Sequence, residues 1–378
     1  MKSAICDLLG VDFPLLAFSH CRDVVAAVTN AGGFGVLGAA AFSPEQLDRE
    51  LAWIDGHVGG RPYGADILVP VKVSGAGLTR SAIAGLIPAA HREFVAAVLA
   101  EHGVDAGRPA GGASSATLGS ASNNEDLLEV AFTHPIRLIA NALGPPPGYM
   151  LDRARAAGVP VAALVGAREH AQRQLAAGVD ILVAQGTEAG GHCGEVSTMV
   201  LVPEVVDAAA ELAEPGRPPV PVLAAGGIVT GRQMAAALAL GAAGAWTGSV
   251  WLTTEEAETA PQTRAKMLAA TSRDTVRSAS RTGKPSRQLR SAWTDAWQGS
   301  GAPATLPMPL QSVLSEPALR RVDQLAASGH PGAADLATYW VGQGVGMMNS
   351  VKPARQVVLD FMEELAASVG RINSIVGD

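Results

Sequence analysis

One β-strand–helix–β-strand unit is visible in "VPVLAAGGIVTGRQMAAALALGAAGAWTGSVW", residues 220–251. The apolar run "VPVLAAGG" at 220–227 leads into a segment with helical spacing that ends at Gly241, and a second apolar run, "GAWTGSVW", follows at 244–251. Continuous apolar runs are typical of buried parallel strands, and glycine is a common helix stop. The stretch therefore predicts two parallel strands joined by a helix.

The same order of elements recurs along the first two-thirds of the chain. Six earlier apolar runs lie at 13–18, 34–38, 63–70, 135–143, 159–166 and 179–186. Eight strands with intervening helices predict a (β/α)8 TIM barrel, of the α/β class. A doubly wound open sheet is the alternative, but the glycines of "NAGGFGVLG" at 30–38 follow a helix-like segment and precede a strand. Because a dinucleotide-binding fingerprint has the opposite order, the barrel is favoured.

Two regions depart from this repeat. Residues 72–128 include the Gly/Ala/Ser-rich stretch "GVDAGRPAGGASSATLGSASNNED" and are predicted to form an insertion after the third strand. After residue 252 we see polar helices and Pro-rich loops without further strand signals. We therefore expect a barrel over 1–252, a smaller helical domain over 253–350, and an amphipathic C-terminal helix over 351–378 that docks on the barrel.

The composition excludes several classes of function. The net charge is −7 and no run of Lys or Arg could follow a nucleic-acid backbone. Three cysteines without a CxxC pair fit a reducing compartment and give no zinc site, so we expect no metal. The N-terminus "MKSAICDLLGVDFP" does not have the features of a secretory signal, and no apolar stretch reaches the roughly 18 residues of a membrane span. We expect a soluble cytoplasmic protein that could form a homodimer.

The best candidate for chemistry is the stretch "AQGTEAGGHCGE" at 184–195, directly after the sixth strand. Active sites of such barrels lie at the carboxyl ends of the strands, and small residues let a ligand approach the backbone closely. His192 is therefore the catalytic candidate. Glu188 could hold this histidine or bind ligand hydroxyls. Cys193 could be a nucleophile, but the sequence shows no partner that would stabilise its thiolate.

Two further glycine loops follow the seventh and eighth strands. Gly226 and Gly227 leave backbone N–H groups unobstructed, and Gly248 with Ser249 can add an N–H and a hydroxyl. Loops at these places commonly bind a phosphate in this fold. These four residues, the phosphate cradle, predict a cofactor with one terminal phosphate.

With these residues assembled, the chain resembles the nitronate monooxygenase family, formerly called 2-nitropropane dioxygenases, which also contains FMN-dependent enoyl-thioester reductases. The resemblance runs from "GVDFPLLAF" through "GTEAGGHCGE" and "VLAAGGIVTGRQMAAALALGAAGAWTGS" to "VGQGVGMMN". The pair "EAGGH" and "AAGGI" at this separation is its most specific part. Family membership implies an FMN-binding barrel with a smaller helical domain.

The resemblance also implies roles for individual residues. His192 matches the catalytic histidine, and the phosphate cradle matches the family's phosphate site. Positions implied to line the flavin are Ala17, Phe18, Asp66, Gln185, Gly190 and Gly191. Gln343 matches a segment that closes over the site, where Glu188 and His20 could also meet substrate. Two departures stand out, because His20 replaces an expected methionine and Asp66 replaces a usual asparagine.

The function implied first is FMN-dependent oxidation of alkyl nitronates by O2, with a carbonyl compound and nitrite as products. The alternative is an FMN- and NAD(P)H-dependent enoyl-thioester reductase, because the "EAGGH" signature does not separate the two. A third interpretation, from another class, is a flavin-binding protein without catalytic activity. In each case the expected cofactor is FMN, and the hard chemistry belongs to the flavin.

Overall fold

Eight parallel strands close a barrel in a computed structural model that describes residues 1–68, 80–105, 121–142 and 144–377. The barrel strands, in order around the barrel, are β1 (Leu15–Ser19), β2 (Phe34–Gly38), β3 (Gly64–Asp66), β4 (Ile139–Asn141), β5 (Val161–Val165), β6 (Ile181–Gln185), β8 (Val222–Ala225) and β9 (Gly244–Thr247). β9 pairs with β1 and closes the ring. The predicted (β/α)8 barrel is confirmed. Seven of these strands lie within their predicted apolar runs, and β1 extends one residue beyond its run, to Ser19. Residues 69, 70 and 143 of the predicted runs are outside the described residues.

A second, antiparallel sheet has the order β10-β11-β7, with β7 at Gly191–His192, β10 at Thr275–Ser278 and β11 at Ser286–Leu289. The sequence predicted no strand after residue 252, and this expectation was wrong for β10 and β11. Their sequences, "TVRS" and "SRQL", lack the apolar residues on which the prediction relied. All four residues of β11 are nevertheless buried, so the polar side chains of this strand are packed in the protein interior.

Helices follow most of the barrel strands and continue after the barrel. They are α1 (Ala4–Leu9), α2 (Arg22–Asn30), α3 (Pro44–His57), α4 (Arg80–Gly85), α5 (Ala89–Glu101), α6 (Ala121–Ala131), α7 (Gly148–Ala157), α8 (Arg168–Ala177), α9 (Thr198–Glu211), α10 (Gly231–Ala239), α11 (Pro261–Ala269), α12 (Ala292–Gln298), α13 (Leu310–Ala327), α14 (Pro331–Leu336) and α15 (Ala354–Val376). Two 3-10 helices lie at Ser249–Thr253 and Gln343–Met347. Gly158 and Gly178 end α7 and α8 in the left-handed conformation, as the glycine stops predicted.

Strand alternation separates two cores. Side chains on one face of each strand, such as Leu16, Phe34 and Trp246, fill the barrel interior. Those on the other face, such as Ala17 and Ala65, pack against the helices. Because successive side chains point to opposite faces, the alternation decides which residues can reach the barrel mouth, the rim formed by the carboxyl ends of the strands.

A third core lies outside the barrel and joins two distant parts of the chain. Val98 and Leu99 of α5 pack with Trp293 of α12 and Leu319 of α13. Part of the predicted insertion thus belongs to the same helical unit as residues after the barrel. Residues 72–79 and 106–120 of that predicted insertion lie outside the described residues.

The last helix, α15, packs against α10 and α2. Phe361 and Leu365 are buried there, and a Cβ at Gly231 of α10 would overlap the carbonyl of Phe361. The glycine therefore permits this close approach of the two helices. None of the helices in the described ranges is both long and apolar enough to cross a membrane.

Candidate active site

The end of β1 brings aromatic side chains to the barrel mouth. Ala17 is buried toward the helices and offers only its backbone, whereas Phe18 packs against the interior core. The Phe18 ring lies edge-on to His20, with centroids 5.1 Å apart, and is stacked with Trp246 at 6.4 Å. His20 Nδ1 lies 2.8 Å from the carbonyl oxygen of Gly38. Because a carbonyl only accepts, Nδ1 donates this bond and His20 is held over β2.

Asp66 ends β3 beside the same glycine, since the strand register pairs it with Gly38. Its side chain is only 5% exposed, and its Oδ1 atom is buried without a hydrogen-bond partner among the described residues. Burial raises the pKa of Asp66 to about 7. The structure therefore places a carboxyl without a compensating partner among the described residues at the position where the sequence predicts a flavin contact.

The loop after β6 is tied to the start of α9. Gln185 is the last residue of β6. It lies two residues after Val183, which packs in the interior core, so both side chains are on the interior face of the strand. The Glu188 carboxylate accepts from the N–H of Thr198 at 2.9 Å and from its hydroxyl at 2.8 Å. Glu188 is thus bonded to Thr198, a residue the sequence analysis did not single out, and this bond anchors the loop.

His192 lies on β7, where it pairs with Ser286 of β11. Its Nε2 atom is 3.1 Å from the hydroxyl of Thr282, which in turn donates to the carbonyl of Lys284 at 3.1 Å and accepts from the N–H of Lys284 at 3.3 Å. The hydroxyl lies 3.1 Å from both the Lys284 carbonyl oxygen and His192 Nε2. We assign its single proton to the carbonyl, and in this assignment the hydroxyl oxygen accepts from His192 Nε2–H. This assignment leaves the Nδ1 lone pair of the neutral imidazole free.

The electrostatics favour that neutral form. Burial lowers the pKa of His192, and the nearby Lys284 ammonium lowers it further. A histidine that is uncharged at neutral pH can accept a proton from a substrate. Thr282 and Lys284 could not be found from the sequence, because they are about 90 residues away along the chain and no local motif links them to the histidine.

Cys193 has neighbours that the sequence could not show. Arg287 and Arg277 lower the pKa of its thiol, but burial raises it more, and the pKa is raised overall. The sulfur lies 3.4 Å from the carbonyl oxygen of Thr187. A partly buried thiol with a raised pKa is a poor nucleophile, so His192 remains the stronger candidate.

The phosphate cradle has the backbone conformation that its glycines predict. Gly226 and Gly227 have φ of 109° and 70°, values that side-chain-bearing residues rarely adopt. A Cβ at Gly226 would lie 2.6 Å from the Thr198 hydroxyl oxygen. The N–H groups of Gly226, Gly227 and Gly248 donate to no acceptor within the described ranges. Ser249 begins a 3-10 helix, so its N–H has no partner in that helix either.

Gln233 of α10 holds the first half of the cradle. Its amide nitrogen donates to the Gly227 carbonyl at 2.7 Å, and its amide oxygen accepts from the Val229 N–H at 2.9 Å. These bonds use the Gly227 carbonyl and the Val229 N–H, and they leave the N–H groups of Gly226 and Gly227 without an acceptor among the described residues. Unpaired N–H groups at two neighbouring turns suit a phosphoryl group, so the donor set fits the phosphate of a flavin mononucleotide.

A segment near residue 342 crosses the loops after β6 and β9. The N–H of Gly342 donates to the Ser249 hydroxyl at 2.8 Å, and the N–H of Gln343 donates to the Glu188 carbonyl at 2.9 Å. A Cβ at Gly190 would lie 2.8 Å from the Val341 carbonyl carbon. The structure thus places Gln343, Glu188, Gly190 and Ser249 together.

A family model described as nitronate monooxygenase matches residues 14–364. The chain belongs to the nitronate monooxygenase family. It is 56% identical to the Mycobacterium tuberculosis protein Rv1533, whose name assigns it only to the monooxygenases, over all of both chains. Among solved structures, it is similar to nitroalkane oxidase from Streptomyces ansochromogenes, with 26% identity, a TM-score of 0.78, and coverage of 98% of this chain and 100% of that one.

FabK from Thermotoga maritima has the same fold, with 24% identity and a TM-score of 0.70 over 99% of both chains. The family consists of flavin-dependent oxidoreductases that act on small molecules. The chain is therefore an enzyme of this kind, which removes the interpretation as a flavin-binding protein without activity.

Proposed function

We propose that this enzyme oxidises alkyl nitronates with O2 and FMN, giving a carbonyl compound and nitrite. The observation that carries the proposal is His192, whose lowered pKa favours the neutral imidazole, with Nε2 hydrogen-bonded to Thr282 and no partner for Nδ1 among the described residues. It lies on the short strand that includes Gly191, one of the glycines that the family resemblance implies for the floor of the flavin site. The similarity to a nitroalkane oxidase supports the same substrate class.

The phosphate cradle would hold FMN. Gly226, Gly227, Gly248 and Ser249 supply N–H groups that have no acceptor in the part of the chain that the structure describes. We propose that the isoalloxazine ring lies against the backbone of Ala17 and Phe18, near Asp66 and Gln185, over the glycines at 190 and 191. The bound flavin supplies the redox chemistry by taking electrons from the substrate and passing them to O2.

His192 would act on the proton of a neutral nitroalkane. With Nε2–H directed to Thr282, the Nδ1 lone pair is the group that can remove a proton from the carbon next to the nitro group. A preformed nitronate has already lost that proton. Its turnover should therefore depend much less on the imidazole, and this difference separates a base from a purely structural histidine.

The test is His192→Asn, assayed by O2 uptake and nitrite release with 2-nitropropane and with propyl-2-nitronate. We expect FMN to stay bound, turnover of the neutral nitroalkane to fall by about 10²- to 10⁴-fold, and turnover of the nitronate to fall far less. The absorption spectrum of the variant is the control for flavin content. Small, equal losses on both substrates would show that His192 is not the base.

The second candidate is an enoyl-thioester reductase that uses NAD(P)H. The fold shared with FabK favours it, although a likeness at this identity shows the fold alone. Anaerobic mixing with NADPH separates the two activities. Rapid bleaching of the flavin would favour the reductase, and an unchanged spectrum would favour the nitronate oxidase.

Location and assembly complete the proposal. Cys6, Cys21 and Cys193 are free thiols, which fits the cytoplasmic location that the sequence predicts. Sedimentation equilibrium of the purified chain tests whether the enzyme is a homodimer. A mass of twice the monomer would support the dimer.

A further inference from the structure

Asp66 lies on the inner side of the barrel. Its neighbours Ala65 and Ile67 both pack in the core between barrel and helices, so alternation turns Asp66 the other way. Gly64 has the same orientation, because a Cβ there would lie 2.9 Å from the Phe34 ring inside the barrel. Since Asp66 is the last residue of β3, its carboxyl faces the interior at the barrel mouth.

Nothing in the described surroundings compensates a charge on this carboxyl. Its Oδ1 is buried without a hydrogen-bond partner, and no ion pair within the described ranges includes it. The paired strands β2 and β4 contribute Gly38 and Ala140 at its level, and neither strand contains a charged residue. His20 is the titratable side chain next to the end of β2, and its Nδ1 donates a hydrogen bond to the Gly38 carbonyl.

A buried carboxylate without a cation or donors is strongly disfavoured relative to its protonated form. Burial is the only cause of the raised pKa of about 7, and no described charge opposes it. A flavin gains negative charge when it is reduced at neutral pH. A second negative charge in the same mouth would then be even less favourable.

We propose that Asp66 is a proton-coupling residue, a carboxyl that must be uncharged when the flavin bound in the barrel mouth is reduced. The inference rests on the proposed function, because it needs a flavin at that place. Where Asp66 is already protonated, two electrons from the substrate bring one proton to the flavin. Where Asp66 is ionised, the same two electrons bring two protons, one to the flavin and one to the Asp66 carboxyl.

The first test is the midpoint potential of the bound flavin, measured from about pH 6 to about pH 9 in the wild type and in Asp66→Asn. Above about pH 7 the wild-type potential should change with pH twice as steeply as below it, because twice as many protons accompany the electrons. Asp66→Asn keeps the shape of the side chain but has no acidic proton. Its midpoint potential should therefore show the shallower pH dependence over the whole pH range. A wild type with the same pH dependence as Asp66→Asn would overturn the proposal.

Asp323→Asn is the matched control. The pKa of Asp323 is also raised, to about 6, mainly by burial, but this residue lies on α13 within range of Arg281 and Glu316 rather than at the end of a barrel strand. The Asp323→Asn variant should keep the wild-type break, the change near pH 7 in the slope of the midpoint potential against pH. Loss of the break in Asp323→Asn as well would show that the effect is not specific to Asp66.

The second test can also be made on the flavin-free chain. An infrared difference spectrum between the wild type and Asp66→Asn, recorded on the full chain with and without flavin, should contain the C=O band of a protonated carboxylic acid that disappears as the pH rises past about 7. A carboxylate band already at about pH 6 would contradict the inference. If the chain bound no FMN, the proposed function would fail, and this band would still decide the protonation of Asp66.

Discussion

At the scale of single residues, the catalytic candidate depends on a hydroxyl far away in sequence. Thr282 reaches His192 from a turn in which Gly283 has a φ of 85°, and the hydroxyl proton is used by the Lys284 carbonyl. With the hydroxyl proton assigned to the Lys284 carbonyl, the oxygen accepts from Nε2–H of His192. In this tautomer the Nδ1 lone pair can act as a general base.

Replacing Thr282 with valine keeps the β-branched shape and removes the acceptor. We expect turnover of a neutral nitroalkane to fall about tenfold, the equivalent of one lost hydrogen bond of roughly 1.4 kcal/mol, with little change in KM. Thr282→Ser restores the hydroxyl and should restore turnover. The tautomer itself is measured by ¹⁵N NMR of labelled histidine. If the serine variant were as impaired as the valine variant, packing rather than tautomer control would explain the loss.

At the scale of loops and strands, the phosphate cradle can be tested without disturbing the fold. Gly248 has a φ of −128°, so alanine meets no left-handed penalty there, and its methyl would have only the Phe18 ring, 4.0 Å away, as a near neighbour. That space is where the proposed flavin lies. We expect Gly248→Ala to leave the melting temperature of the flavin-free protein unchanged and to weaken FMN binding, measured by quenching of FMN fluorescence.

The control for this prediction is Gly56→Ala. Gly56 lies in α3, and a Cβ there would meet no atom within 4 Å. Alanine should stabilise this helix position by roughly 0.5–1 kcal/mol without affecting FMN. FMN affinity equal to that of the wild type in Gly248→Ala would place the flavin phosphate elsewhere.

The sequence could predict the elements that announce themselves by composition. Eight apolar runs located all barrel strands, and glycine-rich loops located the residues whose N–H groups the structure leaves unpaired. It could not predict β11, because Ser286 and Gln288 are polar residues that are buried by tertiary contacts. Nor could it find the partners of Glu188 and His192, since those bonds join residues that have no periodic relation along the chain.

At the scale of the whole molecule, parts after the barrel complete the site. β11 pairs with the strand that carries His192, and the segment at Gly342 bonds to Ser249 of the phosphate cradle. Trp251 follows that cradle and stacks on Phe361 of α15, with centroids 6.5 Å apart. The barrel positions the cofactor loops, whereas the later elements fix the histidine and brace the phosphate turn.

The raised pKa of Asp66 also predicts how the stability of the entire fold changes with pH. Its pKa is raised from 3.8 to about 7 on folding, so the folded state holds a proton that the unfolded chain has already lost. The contribution of Asp66 to stability is therefore greatest below about pH 4 and is lost as the pH rises toward 7. At about 1.4 kcal/mol per pH unit over roughly 3 units, the loss is at most about 4 kcal/mol.

The measurement is the free energy of unfolding of the wild type minus that of Asp66→Asn, by denaturant titration without flavin at about pH 5 and about pH 8. Flavin is left out because a ligand that binds only the folded state would add its own stabilisation. Every other titrating group is shared by the two proteins and cancels in the difference. The difference should fall as the pH rises. If it stayed constant, Asp66 would have to be ionised in the folded state already at about pH 5, with a cation or donor to compensate it.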